Sequence, residues 1–145
     1  RGKTADFKTT GEVHTLNFSG HKGEYGFRLV EFMVWPSTNI GTDANEICGS
    51  ITAGKTVADP ENPNFDEEGL IGTALRTQTT SPLYGNTGQS IVNDTFIITQ
   101  DLILSVTDTG GTNHPINWQC KFIPVKLSST EAALTNYRQF SIFDE

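Results

Sequence analysis

Long apolar runs are missing from this sequence. No stretch approaches the roughly eighteen consecutive apolar residues of a membrane-spanning helix, and the first residues lack the apolar centre of a secretory signal. No membrane span is therefore expected. Because the chain opens on Arg rather than Met, a leader or a longer basic arm ahead of it stays open. Basic residues are scarce, ten against seventeen acidic, for a formal net charge of −7. The body of the protein should therefore repel a phosphate backbone rather than read one. Cysteine is nearly absent: Cys48 and Cys120 lie far apart with no paired histidine, which excludes a Cys/His zinc site. Each sits in an alternating apolar stretch, so they are either buried free thiols or one disulfide across a core. There is no internal repeat, heptad, low-complexity tract or dividing linker, and 145 residues is the usual size of one domain.

What the sequence does contain is enough to fold. Apolar residues make up 35%, with nine Phe, and charged residues only 19%, a balance too hydrophobic for a disordered chain. Thr, Ser, Asn and Gly are abundant, as many short strands and turns require. Period-two alternation predicts strands over Glu12–Phe18, Tyr25–Trp35, Glu46–Ala53, Leu70–Thr79 and Ile116–Leu127, the last with Trp118, Cys120 and Phe122 inward. Asp94–Thr107 reads as one bent strand or as two strands meeting near Gln100. Tyr25–Trp35 has apolar residues of both parities, which predicts a central strand buried on both faces, with Trp35 in the core. Ala58–Gly69 and Ser81–Ser90 read as surface excursions and turns.

Near the C-terminus the period changes. Ser128 and Glu131 have capping-box spacing, and Ala133, Leu134 and Tyr137 share a face, so Thr130–Gln139 reads as a short helix with Phe140–Phe143 as a docked tail. The expected fold is all-β: an antiparallel β-sandwich of the jelly-roll kind with one short C-terminal helix, spanning residues 12–145. A flexible, mildly basic arm, residues 1–11, precedes it. Its Arg1, Lys3 and Lys8 form either a solvated terminus or a contact for packaged nucleic acid.

Chemistry is sparse. His14, His21 and His114 are framed by no nucleophile motif, so no enzyme is expected. Asp59, Glu61, Asp66, Glu67 and Glu68 crowd one loop. This is a solvated acidic loop or, since hard oxygen ligands suit it, a calcium site; no other cofactor is expected. Glu31, inside an apolar strand, reads as the partner of an ion pair with a neighbouring strand. Trp35, Tyr84 and Trp118 are the aromatics that could stack on a sugar, although Trp35 and Trp118 fit core positions. Asn17-Phe18-Ser19 and Asn93-Asp94-Thr95 are formal glycosylation sequons.

With the run INWQCKFIPVKLSSTEAAL in view, a Trp-centred strand, a Pro-broken continuation and a capped helix, the chain resembles small single jelly-roll capsid and virion proteins of marine viruses. The likeness covers Phe96 to Thr107 and everything after it, and Tyr25–Pro36 more loosely. It departs from many such capsids in lacking a long Arg-rich arm. The resemblance implies a self-assembling shell subunit located in the virion, a symmetric homo-oligomer whose contacts bury Phe65, Leu83, Tyr84, Phe140 and Phe143. The competing expectation is a carbohydrate-binding or adhesive β-sandwich module, with or without calcium in the acidic loop.

Overall fold

The computed structural model describes residues 1–4, 12–18, 25–37, 44–54, 58–79, 87–109 and 114–128. Among them every regular element is a strand: β1 (Gly2–Lys3), β2 (Glu12–Leu16), β3 (Tyr25–Pro36), β4 (Asn45–Ala53), β5 (Leu70–Gln78), β6 (Thr87–Val92), β7 (Leu102–Asp108) and β8 (Ile116–Lys126). They form two antiparallel sheets, ordered β1-β8-β3 and β2-β7-β4-β5-β6, around one hydrophobic core. The architecture is all-β and sandwich-like. No helix among the described residues is long and apolar enough to cross a membrane. The expected helix Thr130–Gln139 and the tail after it lie outside the described residues.

Alternation places the core, with one interruption that decides the fold of β3. Leu29 pairs with Phe122 and Glu31 with Lys121, so Val30 is an extra residue in a β-bulge. Ahead of the bulge the odd-numbered Phe27 and Leu29 turn inward; beyond it the even-numbered Phe32, Val34 and Pro36 do. The mixed parity of Tyr25–Trp35 is thus one inward face with a phase shift. It does not mark a strand buried twice, and β3 is the edge of its described sheet. On β8, Trp118, Cys120 and Phe122 pack against the core, as alternation predicts.

The sheets interlock because the facing sheet carries glycines where β3 presents its largest side chains. A Cβ at Gly49 would lie 2.8 Å from Phe32 Cζ, and one at Gly72 would lie 2.8 Å from Leu29 Cδ2. Only hydrogen at these two positions lets Phe32 and Leu29 reach full burial. Phe18 closes one end, its ring 5.1 Å from Phe27 and 4.7 Å from Phe122, while its N–H donates to Asp101 Oδ1 at 2.7 Å.

Three expectations are corrected. Thr87–Ser90, read as turn, belongs to β6, where uncharged polar residues pair with β5. Of Asp94–Thr107, only Leu102 onward is strand; residues before it run irregularly, apart from a bridge between Ile98 and Phe27. The first residues of the arm are tied down: Gly2 and Lys3 pair with Trp118 and Asn117, and buried Thr4 receives the Ile116 N–H on its hydroxyl at 2.8 Å.

The 58–69 excursion lies against the outside of β4. Gly54, at φ 148°, turns the chain out of the strand in a conformation that side chains rarely adopt. Ala53 N–H donates to Gly69 O at 2.7 Å, closing the loop at its base, and Ser50 Oγ donates to Ala58 O at 3.2 Å. This cover is why Cys48, Ser50 and Thr52 are buried although they face away from the core.

Candidate functional site

Beyond the bulge, the residues of β3 that alternate with the core face outward. Met33 stands opposite Gln119 and Trp35 opposite Asn117, while Lys3 stands opposite Asn117 from the other side. Together with Arg1, Gly2 and Trp118 they line an open cleft of about 600 Å³. Behind it Trp118 packs its indole toward the core beside His14, approached so closely by Gly2 that a Cβ there would sit 2.7 Å from Cζ2. Trp118 Nε1 is buried without a hydrogen-bond partner. Trp35 is 42% exposed, and the Arg76 guanidinium from β5 stacks 3.7 Å from its ring centroid. The cleft therefore offers a flat ring, two side-chain amides and two cations. Gln119 is partly engaged, donating through Nε2 to Glu31 Oε1 at 3.2 Å. Through this bond Glu31, opposite Lys121 in the ladder, is held to the neighbouring strand.

The expectation that Trp35 is core is corrected here: the bulge inverts the parity that placed it inside, whereas Trp118 packs against the core as expected. Met33, Asn117, Gln119 and Arg76 were not singled out by the sequence. Their only signal was alternation with Phe32, Val34 and Trp118, legible once the phase shift is known.

No protein family, curated protein or solved structure matches the chain.

A second apolar depression, of about 200 Å³, lies on the other sheet between the loop and β6, with Phe65 and Ile91 on its walls. They are 64% and 59% exposed. The acidic residues beside Phe65 point into solvent. Asp59 accepts from Glu61 N–H at 3.0 Å and Asn62 Nδ2 at 2.8 Å, and these bonds hold its carboxyl below the usual value, the Asn62 contact foremost. Asn64 Oδ1 caps the next turn through Asp66 N–H at 3.0 Å. The five carboxylates Asp59, Glu61, Asp66, Glu67 and Glu68 are all exposed, and no three His, Cys, Asp or Glu side chains among the described residues are gathered about one ion position.

The remaining sequence candidates fall apart in space. Cys48 and Cys120 are free, one on β4 and one on β8, which decides against a disulfide. Burial pushes each thiol up to about 12; acidic neighbours led by Glu61 and Asp59 add to the shift at Cys48. The His14 ring lies 6.0 Å from that of Trp118, and the His114 N–H donates to Asp108 Oδ2 at 3.3 Å. Arg1 and Lys3 are exposed at the cleft. Lys8, His21, Leu83, Tyr84, Phe140 and Phe143 lie outside the described residues.

Proposed function

We propose that the chain is a non-catalytic, self-assembling shell subunit of viral type, built on a jelly roll and resident in the particle it forms. The strand pairings support the jelly roll. They nest from the outside inward, β1 with β8, β2 with β7 and β4 with β5. The remaining link, from β3, is made by Phe27 to Ile98, just after β6. An antiparallel ribbon nested in this way and rolled over itself is the arrangement that jelly rolls share, among them viral capsid, lectin and cupin domains. The departure is β6, which pairs with β5 rather than with β3.

The observation that carries the shell reading is the presence of two separate apolar depressions on different sheets, one at Met33 and Trp35 and one at Phe65 and Ile91. A closed dimer needs one contact surface, whereas a polyhedral shell needs at least two unlike ones. Arg1 and Lys3, exposed on an otherwise acidic chain, are the groups through which an arm would meet packaged nucleic acid. Electron microscopy together with light scattering over a concentration series tests the proposal. Closed particles or ordered oligomers are expected, and a strict monomer at high concentration overturns it.

One observation favours a second reading, a carbohydrate-binding module. Trp35, Asn117 and Gln119 put a flat aromatic surface beside two amides, which is what stacks on and hydrogen-bonds a sugar ring. Glycan-array binding lost in Trp35→Ala would select it.

A further inference from the structure

We infer that Phe65 and the acidic loop around it, on one copy of the chain, dock into the Met33–Trp35 cleft of a second copy in a head-to-tail contact. The inference rests on the shell-subunit reading and deepens it, because it joins the two apolar depressions to each other. Strand register sets the face that receives the loop. Lys3, Asn117 and Trp35 stand in one row across β1, β8 and β3, with Gln119 and Met33 in the next. Farther along the same outward face Lys121 stands opposite Glu31 and Arg28 opposite Ile123. Arg1, Lys3, Arg28 and Lys121 are all exposed, so four of the ten basic residues of the chain gather on this face. Among the described residues the one carboxylate they meet there is that of Glu31, which already accepts from Gln119 Nε2. The face is cationic on a chain that is acidic as a whole.

Charge complementarity selects the occupant. Residues 59–68 carry five carboxylates and no basic side chain, and exposed Phe65 stands among them. Turns capped by Asp59 and Asn64 shape this loop before any contact is made, which lowers the cost of ordering it. The loop cannot fill the cleft of its own chain. It is closed at its base by Ala53 N–H on Gly69 O and lies against the outside of β4, whereas the cleft opens on the outside of the other sheet, about 10 Å away through the core. A second copy is therefore the one that brings it there. Two chains of net charge −7 repel unless unlike charges face each other, and this docking sets five carboxylates against the cationic face while Phe65 is buried on Met33 and Trp35. Because the two surfaces differ, each copy in a pair keeps one of them free, so the contact repeats and either closes into a ring or runs on. A packaged nucleic acid at Arg1 and Lys3 is the competing occupant of the same face.

The test uses the full chain, sedimentation velocity over a concentration series, and two variants at exposed positions: Phe65→Ala, which loses the inserted ring, and Trp35→Ala, which loses the receiving one. Far-ultraviolet dichroism checks that each remains folded, and Met33→Glu takes the place of Trp35→Ala where that variant does not. Either variant alone is expected to self-associate at least about tenfold more weakly than wild type, as the loss of an aromatic anchor does. Mixed in equal amounts, the two should form one-to-one dimers and stop there, because the intact Phe65 of one meets the intact cleft of the other and no second pairing remains. Raising the salt from about 0.1 M to about 1 M, which shortens the screening length from about 10 Å to about 3 Å, should loosen the wild-type contact. Association that tightens with salt overturns the inference, since it would reflect only the screened repulsion of acidic chains. If both variants assemble like wild type, or their mixture does not pair, the contact is overturned while closed wild-type particles keep the shell reading. The same holds if a short single-stranded oligonucleotide binds the basic face and Phe65→Ala assembles unimpaired, because the face then belongs to nucleic acid. Wild-type filaments that need Phe65 and never close keep the contact and remove the shell. A wild type that never associates removes both readings.

Discussion

Two strands of the same sheet, β4 and β6, meet opposite fates. β4 (NEICGSITA) is buried at every position but Glu46, whereas β6 (TGQSIV) is exposed at every position but its last. Composition does not separate them, since both mix small, polar and β-branched residues with a glycine. Position does. β4 has β5 and β7 on its two edges, Phe32 over its inner face and the 58–69 loop against its outer face through Ser50. β6 has one strand neighbour among the described residues and no such cover. In this protein burial follows from what surrounds a strand.

The contrast is sharpest for two isoleucines. Ile51 on β4 is fully buried in the core, and Ile91 on β6 is exposed. Ile51→Ala is expected to cost about 2–5 kcal/mol, from lost transfer energy and the cavity left behind. Ile91→Ala should stay within about 0.5 kcal/mol, as surface changes do. Urea unfolding of both variants, at concentrations where the chain is monomeric, reads the difference directly. Equal costs would mean that β6 is covered in the monomer.

A glycine pair gives the next largest effect. Gly49→Val drives a side chain into Phe32, Val34 and Val106, which are themselves locked in the core, and should cost about 1–3 kcal/mol. Gly88→Ala meets only the flexible end of Arg76 and should cost no more than the displaced stacking on Trp35, about 0.5–1 kcal/mol. Thermal melts separate the two, provided Gly88→Ala retains the native near-ultraviolet signal.

How much of this was legible in sequence depended on whether the signal was local. The strands around Ile47, Leu75, Leu104 and Trp118 announce themselves, because side-chain alternation is a property of a few consecutive residues. The parity of β3 does not: Val30 looks like any apolar residue, yet it is the bulge that sends Trp35 outward and creates the cleft. β6 was missed for a related reason. Gly88, Gln89 and Ser90 have turn-like chemistry, and only the pairing partner Ala74 to Arg76, distant in sequence, makes them a strand. The acidic loop was recognised, but its contact with β4 through Ser50 and Ala58, which buries Cys48, is a long-range packing fact.

Ser50 offers a milder way to break the contrast, by lifting the cover from β4. Ser50→Ala removes the hydrogen bond to Ala58 O and leaves that carbonyl unpaired, which should cost about 0.5–1.5 kcal/mol. The more specific readout is Cys48, whose alkylation should accelerate in the variant while that of Cys120, on the other sheet, stays unchanged.

The last effect is absent at neutral pH and appears only in alkali. Cys48 ionises at about 12 in the folded chain against an ordinary 9.0, because burial, and then Glu61 and Asp59, oppose the thiolate. Between those values the unfolded chain has released the proton that the folded chain still holds. The folded state therefore binds more protons, and stability must fall as pH rises. The stabilisation is complete below about 9 and is lost progressively as pH climbs toward 12. Cys120 contributes in the same direction, since burial raises its thiol equally far. A Cys48→Ala, Cys120→Ala double variant should lose this component, so its melting temperature should decline less steeply than that of wild type above pH 9 while the two curves run parallel below it. Parallel curves throughout would mean that Cys48 ionises as freely as an exposed thiol, and that the loop over β4 is no more of a cover than the solvent over β6.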